Sequence, residues 1–131
     1  MPQATSIGEF YDIFAVGPAA QLVVPAAQLG LAASVPASGS IQSDVIPGDG
    51  FKVIAVGVTS AEAGAVDVQR YLDLAGTIPQ GAALTGTLVA GTGVVVNATD
   101  GLPFGSFRIT VTNTTETAAA LTGVIVLLQA A

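Results

Sequence analysis

The sequence predicts an all-β fold, a β-sandwich or jelly roll of antiparallel strands, preceded by an extended Ala/Pro-rich N-terminal arm. Three observations carry that reading. The body is rich in Thr and Val and contains sixteen Gly, a composition that favours pleated strands over helix. Its apolar residues fall in short β-branched runs separated by Gly, Pro, Asn and Asp turn signals. Where polar residues interrupt those runs they do so with period two, as on a half-buried strand.

Residues 1–40 form the first unit, an extended arm or edge segment. Pro18-Ala19-Ala20-Gln21-Leu22-Val23-Val24 is echoed at once by Pro25-Ala26-Ala27-Gln28-Leu29-Gly30-Leu31. Two copies are too few for a solenoid, and prolines seven apart forbid one regular helix through the segment. Short strand pieces pinned by each Pro are expected instead. Such a segment builds no core of its own and has to lie on the body or on a neighbouring subunit. Its apolar residues Phe10, Tyr11, Phe14, Leu22, Val24, Leu29 and Leu31 are therefore the candidate interface.

Residues 41–131 form the second unit, the sandwich body. Phe51 to Thr59 follows the Pro47-Gly48-Asp49-Gly50 turn and reads as a strand. Val66, Val68, Leu72 and Leu74 suggest a second strand whose alternation slips at Gln69-Arg70, as a bulge would cause. Leu84 to Val96 gives one or two Gly-punctuated strands. Phe107, Ile109 and Val111 alternate with Arg108, Thr110 and Thr112, and Asn113-Thr114-Thr115-Glu116 then turns the chain. Leu121 to Leu128 is almost wholly apolar and is expected to be buried on both faces. Helix is confined to one weak turn at Ser60 to Ala65.

Composition excludes several functions. Charged residues make up 9% of the 131-residue chain, against about 25% in an ordinary soluble domain, so part of the surface is expected to be covered by a partner. Lys52, Arg70 and Arg108 are outnumbered by nine carboxylates. Nucleic-acid binding and an anionic-membrane patch both require clustered basic residues. The uncharged stretch 13–42 is broken by Pro18, Pro25 and Pro36, and 124–128 falls far short of the ~20 residues that span a bilayer. No secretory signal is read at the N-terminus, where Glu9 and Asp12 replace basic residues.

Catalytic parts are scarce. With no His and no Cys, the usual general base, thiolate nucleophile and zinc ligands are missing. Asp67 and Asp73, six apart on a strand, would stand ~20 Å from one another, beyond the reach of a glycosidase pair. Asp44 and Asp49 flank a turn but lack the ligand spacing of an EF-hand; a two-carboxylate calcium loop is the weak alternative to an ordinary Asp-Gly turn. The Gly-rich run 86–93 lacks the Gly-Lys-Ser/Thr of a phosphate cradle. Asn97-Ala98-Thr99 and Asn113-Thr114-Thr115 match the glycosylation pattern and read as surface turns. No cofactor, metal or enzymatic activity is expected. No Trp is present, and Phe10, Tyr11 and Phe14 form the tight aromatic cluster.

A low-charge, Cys-free, Thr/Val/Gly/Ala-rich chain with an Ala/Pro arm resembles the small structural proteins of tailed-bacteriophage virions, capsid decoration (cement) proteins above all. Gly105 to Thr114 followed by Ala120 to Val126 is similar to the closing hairpin of many β-sandwich virion proteins. The resemblance implies a homo-oligomer, often a trimer, seated on a major capsid protein at the virion surface after synthesis in the host cytoplasm. It supplies no functional residues. Because apolar surface is stabilised when covered, residues 1–40 and the apolar strand ends are expected to make the inter-subunit or capsid contacts. Deleting residues 2–35 is expected to abolish assembly or docking while leaving the sandwich folded. A pilus or surface-layer subunit is one alternative, and a glycan- or ligand-binding sandwich is another.

Overall fold

A computed structural model describes residues 21–130 of the chain. Ten strands and one 3-10 turn are present among them: β1 Gln21–Pro25, the turn Ala26–Gln28, β2 Ser34–Val35, β3 Ser40–Gln42, β4 Ile46–Pro47, β5 Val53–Ser60, β6 Gly64–Tyr71, β7 Leu84–Leu88, β8 Gly93–Ala98, β9 Ser106–Asn113 and β10 Ala119–Gln129. They form two antiparallel sheets. The first runs β1-β10-β5-β8, with β2 on the start of β10; the second runs β3-β9-β6-β7, with β4 also on β9.

Period-two patterning sets the packing. In β5 and β6 every second residue is buried and the rest are half-buried. The register aligns Val24, Val126, Val56 and Val96 as one row across the inner face of the first sheet. Facing them from the second sheet are Val66, Val68, Phe107, Ile109 and Val111, all buried. Branched side chains of similar size fill this layer with little rotamer freedom to lose. Gly86 lets β7 close against β8, because a Cβ there would stand 2.6 Å from a Val96 methyl.

The chain changes sheet at six of the nine steps between successive strands. β5 is followed by β6, β7 by β8 and β9 by β10, each pair divided between the two sheets. The expected closing hairpin is therefore not a hairpin. β9 and β10 face each other across the core, and the 114–118 connection bridges the layers. Its anchor is Asn113, which is buried and is no surface turn. Its amide donates to the carbonyls of Thr117 at 2.7 Å, Pro36 at 3.3 Å and Val35 at 3.4 Å, while its carbonyl accepts from the Thr115 amide and hydroxyl. Residues 61–63, in the stretch expected to make a helical turn, are the bend from one sheet to the other.

Two further expectations are corrected. The alternation of β6 does not slip at Gln69-Arg70: its burial is regular to Tyr71, and Arg70 simply occupies an inward position. The register shift lies in β10 instead, between Leu121 and Gly123. Nor is β10 buried on both faces. Val126 and Leu128 point into the core, while Ile125 is exposed and Leu127 half-exposed.

Residues 21–40 supply an edge strand to the first sheet, β1, and begin that of the second, β3. β1 pairs with β10 from Gln21↔Gln129 to Pro25↔Ile125, and Val24, Leu29 and Val35 are core residues. Deleting residues 2–35 would consequently remove part of the core and unfold the sandwich, because Leu29 and Val35 are fully buried. Leu29→Ala should by itself cost about 2–5 kcal/mol, read as a lowered urea midpoint at unchanged slope.

Candidate docking surface at the loop end

β6 ends at Tyr71 opposite Ser106, where β9 begins. The 72–83 connection and the 99–105 connection therefore open at the same end of the sandwich. Four aliphatic side chains stand on these two loops, Leu72, Leu74, Ile78 and Leu102, each between 52% and 68% exposed. Large apolar residues at loop tips cost hydration unless something covers them.

Both loops are held rigidly. The Asp73 carboxylate accepts from the Thr77 amide at 2.9 Å, the Ile78 amide at 2.9 Å and the Thr77 hydroxyl. The Thr77 hydroxyl and the Ile78 amide hold its pKa below the ordinary carboxylate value. Leu72 donates to Ile78 O at 2.9 Å, closing the 72–78 segment on itself. Ser106 Oγ donates to Asp73 O at 2.7 Å, and the Gly105 amide to Tyr71 O at 2.8 Å, so the second loop is stitched to the first. Only a residue without Cβ fits at Gly105, where an added carbon would collide with Leu72 O.

The strongest tie is ionic. Arg70, buried on the inner side of β6, forms a fork to Asp100: Nη1 to Oδ1 at 3.0 Å and Nη2 to Oδ2 at 2.7 Å. The Leu102 amide adds a bond to Asp100 Oδ1 at 3.1 Å. The Arg70 fork, helped by that amide, pulls the Asp100 carboxyl down to about 2. The fork thus fixes the loop that carries Leu102. Sequence pattern missed this site because Leu72 and Leu74 continue the apolar parity of β6. The signal that could have revealed it was a lone Arg at an inward strand position.

The residues expected to form an interface divide. Phe10, Tyr11 and Phe14 lie outside the described residues. Leu22 lies in β1. Val24 and Leu29 are buried in this chain's own core and are unavailable to a partner; Leu31 packs half-buried against that core. Among the described aromatics, Phe104 and Phe107 are buried edge-to-face at 6.1 Å, and Phe51 and Tyr71 are half-buried. No cluster of three or more metal-ligating side chains occurs among the described residues. Asp73 sits in its loop rather than on a strand with Asp67. Asp44 lies against Gly30, and Asp49 takes a left-handed turn position, φ 51°. No helix among the described residues is long and apolar enough to cross a membrane.

The chain is thus a two-sheet antiparallel β-sandwich. No protein-family model matches it, and no curated protein is a significant sequence relative. Similar solved structures exist. The PBSX exported protein XepA aligns over 84% of this chain and 37% of its own, at 13% identity and a TM-score of 0.55. The CBM36-1 domain of a multidomain xylanase from the hindgut metagenome of Trinervitermes trinervoides aligns over 85% of this chain and 98% of its own, at 10% identity and 0.49. A family 29 carbohydrate-binding module from Piromyces equi aligns over 85% and 91%, at 14% and 0.46. The likeness to XepA is one of fold.

Arg70→Met should free the 99–105 loop and cost about 1–3 kcal/mol, measured as a drop in thermal midpoint. The ion pair's contribution is complete above pH ~4, the unfolded carboxyl value, and is lost as pH falls toward the folded value of about 2. Acid titration of stability between those limits should therefore be shallower in Arg70→Met than in the parent chain.

Proposed function

We propose that this chain is a non-catalytic docking subunit that seats its loop end on an aliphatic protein surface. The observation that carries the reading is the set of four exposed aliphatic side chains on two loops, one braced by the Asp73 turn and the other by the Arg70–Asp100 fork. Rigid loops lose little conformational entropy on binding, and aliphatic tips at ~25 cal/mol per Å² reward being covered. Asp73 beside them favours a partner with a basic rim. A virion shell is the setting that fits a chain so poor in charge, with a major capsid protein as the receiving surface and self-association into a small symmetric oligomer.

Glycan recognition is the other function class. Carbohydrate platforms rely on exposed aromatic faces, and the described surface presents aliphatic tips in their place. One experiment separates the two. Binding of the purified chain to assembled capsids is measured by co-sedimentation, alongside binding to xylan and other soluble polysaccharides. Leu74→Ser with Leu102→Ser should weaken capsid binding at least tenfold while the thermal midpoint stays within a few degrees. Polysaccharide binding that survives both substitutions would overturn the docking reading and assign the chain to glycan recognition.

A further inference from the structure

A second apolar surface, without a cover among the described residues, lies on the outer face of the first sheet. Across it run two rows, Val23–Leu127–Ala55–Asn97 and Ile125–Gly57–Val95. Val95 is 66% exposed, and Ile125 and Val23 are also open. Gly57, Gly93 and Gly123 leave a shallow depression of about 360 Å³ between Val95 and Ile125. None of the outward side chains in these rows is charged.

We propose that this face is the seat of residues 8–16 of the same chain. That segment brings Phe10, Tyr11, Ile13, Phe14 and Val16, aromatic bulk that the aliphatic face lacks and its glycine depression accommodates. It also begins in the right place. Gln21 pairs with Gln129 at the edge of this very sheet, so four residues separate Val16 from the strand. From Gln21 the Ile125 row is ~13 Å along the strand, and Val95 is three strands over at ~4.8 Å each. Seven residues reach at most ~24 Å, which is enough to span the distance from Gln21 to either.

Area decides between this occupant and a second copy of the sheet. Four strands by about six residues present on the order of 300–400 Å². A stable interface between separate molecules takes ~800 Å² from each partner. A tethered segment does not face that threshold, because its effective concentration reaches the millimolar range. Two aromatic side chains, each burying ~150–250 Å², match the area available.

Because the chain has no Cys, a designed pair gives a clean test. Phe14→Cys with Ile125→Cys, treated with a short bis-maleimide, should give a cross-link within one chain that runs as monomer on a denaturing gel. Phe14→Cys with Thr85→Cys, on the other sheet, should not. A covalent dimer would assign the segment to a second copy, and no cross-link would remove it from this face; either overturns the proposal. The parent chain supplies an independent measurement. Chymotrypsin cleavage at Phe10, Tyr11 and Phe14 should accelerate at least tenfold in Val95→Lys, whose outward position leaves the core intact, and an unchanged rate would also overturn it.

Discussion

Everything in this molecule rests on the contact between two valine-rich sheet faces. The row Val24–Val126–Val56–Val96 spans the first sheet, and Val66, Val68, Ile109 and Val111 with Phe107 supply the opposing layer. Neither sheet could persist alone, since each would leave a broad aliphatic plane in water. The layers are joined covalently by connections that cross the core gap, and polar groups that fall within the gap have to be satisfied there. Asn113 and Arg70 are the two principal cases. One closes its hydrogen bonds on the carbonyls of Val35, Pro36 and Thr117, the other on the carboxylate of Asp100.

Arg70 links stability to the candidate docking end, since it sits at the Tyr71 end of β6 while Asn113 pairs with Gly64 at the far end. A buried guanidinium is tolerated when it is paired and hydrogen-bonded. Here the pairing reaches outward to a loop, so the need to neutralise Arg70 dictates where residues 99–105 run. Leu102 is presented as a consequence of that electrostatic constraint. The Asp73 turn performs the same service for Leu72, Leu74 and Ile78 without burying any charge.

Much of this architecture was legible in the sequence, because period-two alternation survives wherever one face is buried. β5 and β9 follow the pattern closely. Three features were not legible, each for a definable reason. A polar residue at an inward position mimics a register slip, which hid Arg70. Continuous apolarity in β10 cannot reveal which face stays open, and the outer face is apolar for reasons unrelated to the core. Pairing of strands distant in sequence leaves no local mark, so β9 and β10 read as a hairpin although they belong to different layers. The Ala/Pro echo was ambiguous in the same way: Val24 and Leu29 look like arm residues by composition, and partnership with β10 makes them core.

The central place of β10 has a consequence for biosynthesis. This strand pairs with β1, β2 and β5, yet it is the last of the described strands to leave the ribosome. Until it emerges, β1 and β2 have no neighbour and β5 lacks one of its two, so the first sheet cannot assemble stepwise on the nascent chain. The valine face then waits uncovered through most of translation, a window in which holdase chaperones have a substrate and crowded nascent chains can stick to one another. Long-range pairing of this kind also slows closure once the chain is free. A protein needed in many copies at once would meet that bottleneck at the ribosome rather than at its assembly site.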